Sequence, residues 1–198
     1  VSGVQELDAR AVAASVAVVE AVGPGQLELP TPCGDWTLGR LLAHMAGQHH
    51  GFAAAARGED TDLTIWADRP VGDQPAAVYR ASAAEVVGAF AEEGVLERAF
   101  WLPEVHPRLR FPAPTAIGFH LLDYVLHTWD VAAALGTSAE FDAELLDAAL
   151  AVAAKVPEGP SRLVPGAAFG PGVPLPAEAS PLDRLIASSG RSPAWPKR

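Results

Sequence analysis

The stretch from Pro114 to Leu135 is the strongest constraint in the sequence. A proline suited to the first helical turn opens it, Gly136 stands just past its end, and no proline interrupts it between. Other stretches carry helical patterning too. Residues 8–22 place Val12, Ala13, Val16 and Val19 at helical spacing and stop at Gly23-Pro24-Gly25. Pro30, Pro32 and Gly34 make the next stretch an ordered loop, ending at Thr37 as N-cap of a helix from about Leu38 to Arg57. After Pro75, residues 76–93 gather Tyr79, Ala83, Val86, Val87 and Phe90 on one face. Residues 141–156 read as an Ala- and Leu-rich helix, and 180–186 as a short one before Gly190. Between Val95 and Pro114 the helical pattern breaks into two extended pieces, 98–102 and 108–111, around Pro103 and Pro107. The expected fold class is all-α: a bundle of the first four helices with short extra helices and an irregular, hairpin-like insertion. The chain reads as a single domain over 1–198, with a Pro/Gly-rich extension from about 157 that includes Pro165-Gly166.

Charge and cysteine content narrow the function. With 14 Lys and Arg against 24 Asp and Glu, the formal charge of −10 repels phosphate backbones, which argues against DNA or RNA as partners. The one cysteine, Cys33, excludes an internal disulfide framework and multi-cysteine metal motifs, so any metal leans on His and carboxylates. No run reaches the roughly 18 apolar residues of a membrane span, and Glu6, Asp8 and Arg10 interrupt the N-terminal stretch where a signal peptide would be apolar. A cytoplasmic protein with no membrane partner is the expectation.

Histidine placement is the informative feature. His44, His49 and His50 fall on the second helix, His120 and His127 on the fourth, and His106 in the irregular stretch. At about 100° per residue, His120, Asp123 and His127 lie within roughly 60° of one another on a single stripe. Tyr124, Thr128 and Asp130 continue it, while Leu121, Leu122, Val125, Leu126 and Trp129 take the other side. Such a stripe is ordinarily a solvent face, but solvent faces favour Lys, Glu, Arg and Gln over short Asp and imidazole. Asp123 and His127, at i and i+4, project over one patch and supply two metal ligands. The remaining ligand would come from the facing second helix. There, periodicity slightly favours His49, which shares the apolar direction, over His44, which borders it.

Two sets of residues carry a family resemblance. The leader 31–37 (Thr-Pro-Cys-Gly-Asp-Trp-Thr) runs into Leu41-Leu42-Ala43-His44, and Asp123 precedes the run 127–136 beginning His-Thr-Trp-Asp. Together they resemble the N-terminal domain of mycothiol-dependent maleylpyruvate isomerases, within the DinB-like four-helix metal-binding superfamily. The ending 180–186 with 190–195 is similar to the tails of short, free-standing actinobacterial relatives. The resemblance implies a DinB-like bundle with metal ligands at His44, Asp123 and His127. The family uses two histidines and a third ligand, Glu or His, so the shorter Asp123 departs from the pattern and His120 is the substitute on the same stripe. The isomerases also carry a second, C-terminal domain for which 198 residues leave little room.

Three protein ligands and an open position define a catalytic site. The expected cation is Zn²⁺, with Ni²⁺, Fe²⁺ and Mn²⁺ compatible with the same donors. A low-molecular-weight thiol entering the open position would ionise and attack an electrophilic small molecule. The resemblance implies mycothiol as that thiol, with S-transfer (transferase) or addition-elimination (isomerase) as the outcome. A metal-dependent hydrolase using the same ligands, with Asp130 or His120 as base, and a non-catalytic small-molecule-binding bundle are the alternatives. A homodimer is compatible with the sequence. Asp130, three residues beyond His127, is placed to orient it through a hydrogen bond. Cys33 reads as a small packed thiol, Trp36 and Trp129 as packing anchors, and Arg184 and Arg191 as surface-paired cations.

Overall fold

The computed structural model describes residues 2–59, 62–164 and 167–196; Pro165 and Gly166 of the expected extension lie outside the described residues. The helices are α1 (Val4–Val19), α2 (Leu38–Arg57), α3 (Pro75–Phe90), α4 (Ala113–Leu135), α5 (Ala143–Ala153) and α6 (Pro181–Ser188). Two three-residue strands, β1 (Ala99–Trp101) and β2 (Arg110–Pro112), pair antiparallel with Phe100 opposite Phe111. The chain is thus all-α with a small hairpin inserted ahead of α4, as the patterning predicts.

Local chemistry sets the boundaries. The Thr37 hydroxyl accepts from the Arg40 N–H at 3.3 Å to start α2, and Gly58, at φ +78°, ends it. Asp142 caps α5 by accepting from Leu145 N–H, so that helix begins two residues later than periodicity implies. Helix α1 begins earlier than expected, with Gly3 as N-cap, and ends at Val19 rather than running to the glycine-proline break.

Helices α1 and α4 form one close pair, α2 and α3 another, and the pairs pack as a four-helix bundle; α5 lies on α4, and α6 on α5. The interior is filled by Leu38, Leu41, Leu42 and Met45 from α2, Tyr79, Val86 and Phe90 from α3, and Ile117, Leu121 and Val125 from α4. On the α5 side, Leu122 and Leu126 border a small void together with Ala153, Val156 and Leu185. Helix α4 is therefore covered on both sides. Its polar stripe is not the solvent face: His120, Tyr124, Thr128 and Asp130 are fully buried.

One loop reaches the bundle because α2 omits side chains to receive it. A Cβ added at Gly51 would overlap the Trp66 ring, and one at Gly47 would come within 2.5 Å of the Ala67 carbonyl oxygen. Arg69 N–H then bonds the Ala43 carbonyl at 2.8 Å, which lays Asp68 beside α2. Gly51→Ala should destabilise the protein by about 1–3 kcal/mol despite alanine's better helix propensity, because the buried Trp66 must shift. Urea unfolding measures this, and an unchanged midpoint would mean that the loop does not pack there.

Glu144 of α5 ties down the start of the chain. It accepts from Ser2 N–H at 2.9 Å, Ser2 Oγ at 3.1 Å and Arg10 Nη2 at 2.6 Å. The Ser2 N–H, then Arg10, hold its carboxyl down at about 2, against an ordinary value of 4.5. A depressed folded-state value stabilises the fold above the unfolded value and loses that contribution as pH falls through the folded one. The stability gap between wild type and Glu144→Gln should accordingly be full at neutral pH, shrink below pH 4.5 and close near pH 2. Denaturant unfolding across that range tests it, and a gap constant with pH would refute it.

Candidate metal centre

The loop before α2 is closed on itself. Pro30 and Thr37 form an isolated bridge, and Thr31 Oγ1 donates to the Trp36 carbonyl at 2.9 Å while accepting from Cys33 N–H at 3.1 Å. Gly34, at φ +61°, makes the turn. This frame sets the Trp36 ring edge-on to His44, with centroids 4.9 Å apart, and the Arg40 guanidinium 4.7 Å over Trp36. Trp36 therefore braces a site residue rather than serving only the core.

At the end of the bundle defined by that loop, His44 of α2 meets Asp123 and His127 of α4. One ligating atom from each of the three lies within 4.8 Å of the others. His127 Nε2 is 3.3 Å from Asp123 Oδ1, and the His44 and His127 rings stand edge-on at 5.7 Å. On the opposite edge of the ring, His127 Nδ1 is 2.9 Å from Asp130 Oδ2, a bond in which the imidazole donates to the carboxylate. That bond fixes the ring and turns Nε2 toward Asp123. Asp130 is fully buried, and Arg191 Nε reaches its two oxygens at 2.8 and 3.0 Å.

Electrostatics follow from this crowding. Burial opposes charge on Asp123, but the His127 charge and hydrogen bond, aided by His44, outweigh it and hold the carboxyl well below the usual carboxylate range. Burial likewise disfavours an imidazolium at His127, yet Asp123, Asp130 and Cys33 together push its pKa well above the ordinary histidine value. Asp130 stays below its ordinary value because Arg191 and His127 overcome its burial.

The residues expected at the site divide into two groups. His44, Asp123 and His127 come together, with Asp130 behind His127. His49 and His120 do not join them. His120 is fully buried, with Nδ1 2.7 Å from Asp8 Oδ1 of α1 and its ring stacked on Tyr124 at 4.1 Å. His49 is fully buried too, bonded through Nδ1 to Ser82 Oγ at 2.9 Å, and burial depresses its pKa well below the ordinary value. Helical spacing put His120 on the ligand stripe, but it lies nearly two turns before His127, level with α1 and α3. Among the described residues it is not grouped with the ligating atoms of His44 and His127, as Asp123 is.

Two other expectations are corrected. Cys33 is more than packing, because its thiol donates to Asp130 Oδ2 at 2.9 Å. Arg191 is not a surface cation, its side chain being only 11% exposed against Asp130. The sequence reading also missed Asp68, whose Oδ1 is 3.4 Å from His44 Nδ1, and Glu104, which accepts from Gln48 Nε2 at 3.1 Å. Gln48 follows His44 by one helical turn, so Glu104 stands over the same face of α2. Loop residues 68 and 104 have no periodicity that would have revealed them.

A helical bundle with two imidazoles and a carboxylate gathered across α2 and α4 has the make-up of a bundle metal centre. The family model of the mycothiol maleylpyruvate isomerase N-terminal domain matches residues 9–132, and the chain belongs to that mycothiol-related, DinB-like metal-binding family. The family is associated with mycothiol-dependent isomerase activity. Relatives include two uncharacterized proteins of Mycobacterium tuberculosis, Rv0738 of strain H37Rv and MT0763 of strain CDC 1551. Each is 36% identical over 191 residues, covering 92% of this chain and 94% of the relative. No solved structure matches the chain significantly. Among the described residues no helix is long and apolar enough to cross a membrane.

His120→Leu separates the core pair from the centre. It strips buried Asp8 of its partner and should cost about 3 kcal/mol of stability, while metal content per folded chain, read by elemental analysis, stays at the wild-type level. Loss of metal from a folded His120→Leu protein would return His120 to the ligand set.

Proposed function

We propose that the chain is a divalent-metal-dependent enzyme of the mycothiol-dependent isomerase or thiol S-transferase type, acting on a low-molecular-weight thiol and a small electrophile. The observation that carries this reading is the convergence of His44, Asp123 and His127 from two helices, with Asp130 already bonded to the far edge of His127. The donor set fits: two imidazoles and a carboxylate suit Zn²⁺ and, less selectively, Ni²⁺, Fe²⁺ or Mn²⁺. Mycothiol as the thiol is supported by family membership.

When bound, such a cation would acidify a coordinated thiol and leave a thiolate nucleophile at neutral pH. The chain's own groups prepare for this. Asp130 keeps the proton on His127 Nδ1, so that Nε2 is the nitrogen that would give up its proton to a cation arriving on the Asp123 side. Asp68 Oδ1, 3.4 Å from His44 Nδ1, faces the second imidazole with negative charge on its far edge. Glu104, held by Gln48 on the rim over the His44 face, would accept the proton that the thiol gives up.

The test is elemental analysis joined to a thiol-dependent assay. Wild type should retain one divalent ion per chain and consume electrophile only when the thiol is supplied. His44→Ala and His127→Ala should drop to sub-stoichiometric metal, and Asp130→Asn should weaken metal affinity by about 10–100-fold. A wild-type protein that holds no ion even after reconstitution would end this reading. Metal-dependent turnover of esters or amides without thiol would move the assignment to hydrolysis.

A further inference from the structure

His127 belongs to two potential ligand groups. On one edge it joins His44 and Asp123, and on the other it joins Cys33 and Asp130, again with one atom from each residue within 4.8 Å of the others. By donor chemistry the second group is the stronger for a zinc-like ion, because it offers a thiolate beside an imidazole and a carboxylate. Cys33 Sγ is 3.8 Å from His127 Nδ1 and 2.9 Å from Asp130 Oδ2.

A cation already sits there. Arg191 Nε contacts both Asp130 oxygens, and Arg191 Nη2 lies 3.6 Å from Cys33 Sγ. We propose that Arg191 is a built-in cation that closes the Cys33, His127, Asp130 group to metals and so directs a divalent ion to the opposite edge of His127. The proposal rests on the metal reading above and adds to it the residue that chooses between two overlapping sites.

The guanidinium is delivered with little freedom. Arg191 Nη1 bonds Ser189 Oγ at 3.2 Å, and Arg191 N–H bonds the Ile186 carbonyl at the end of α6. Arg162 fastens the same turn, donating to the carbonyls of Ser188 at 2.6 Å and Gly170 at 3.2 Å. Gly190, at φ +87°, lies so close to Gly170 that a Cβ would overlap its backbone. All of this lies beyond residue 132, where the family match ends. The C-terminal segment thus acts on the centre by occupying space and charge rather than by ligation. Arg191 is a positioning residue in this role, not a catalytic one.

Cobalt(II) titration reads the choice directly, since a cobalt-thiolate bond gives a near-ultraviolet charge-transfer band that His and carboxylate ligands do not. Wild type should bind Co²⁺ without that band. Arg191→Gln removes the charge but keeps a hydrogen-bond donor; in it the Cys33 thiol loses its proton to solvent, its sulfur bonds cobalt, and the band appears. Arg191→Lys should restore the wild-type spectrum, and the double variant Cys33→Ser, Arg191→Gln should lack the band. If Arg191→Gln does not fold alone, refolding it in the presence of Co²⁺ supplies the lost positive charge beside Asp130, leaves all three donors in place and should show the same sulfur band.

A sulfur band in wild type, or its absence from a folded, cobalt-binding Arg191→Gln protein, overturns the proposal. A wild type that binds no cobalt, beside an Arg191→Gln variant that shows the band, supports the closure by Arg191 while removing the proposed His44 site. No binding in either removes both.

Discussion

Most of helix α4 beyond its first turn is enclosed by the protein, and the rest of the structure answers to that. A helix covered by α1 and α2 on one flank and α5 on the other must find a partner inside the protein for each polar side chain it buries. Three of these partners come from three other elements: Asp8 of α1 for His120, the Met45 carbonyl of α2 for the Tyr124 hydroxyl, and Arg191 of the C-terminal segment for Asp130. Thr128 turns back to the Tyr124 carbonyl within α4 itself. The polar groups of this one helix therefore hold the other elements in register around it.

The same constraint explains how two histidines on one stripe take different roles. His120 lies where the bundle is closed on all sides, and its imidazole is spent on Asp8 and on stacking against Tyr124. His127 lies nearly two turns further on, where the 30–37 loop and the hairpin region leave the bundle end less tightly covered, and Asp123 beside it keeps 36% of its side chain exposed. Depth along the helix, not the direction of the side chain, separates a core residue from a candidate ligand.

That distinction marks the limit of what could be read from the sequence. The helices and the hairpin were legible because their signals are local: Pro114 and Gly136 bracket α4, Thr37 starts α2, and prolines break the stretch ahead of α4. Helical spacing singled out Asp123 and His127 with His120 open on the same stripe, whereas His44 was named through the family resemblance, since periodicity by itself leaned toward His49 on α2. The partnerships were out of reach. Asp8 is 112 residues from His120, and Arg191 is 61 residues from Asp130. Nothing at either position distinguishes a buried ion pair from an ordinary surface charge until the chain is folded.

The candidate ligand residues also straddle the seam of the bundle. His44 rides on the α2–α3 pair and His127 on the α1–α4 pair, and α2 and α4 touch each other less closely than either touches its own companion. Any ion shared between them would act as a clasp across two halves otherwise joined by side-chain packing. Occupancy and cohesion would then be coupled, so that the free ion concentration in the surroundings sets how firmly the halves stay shut.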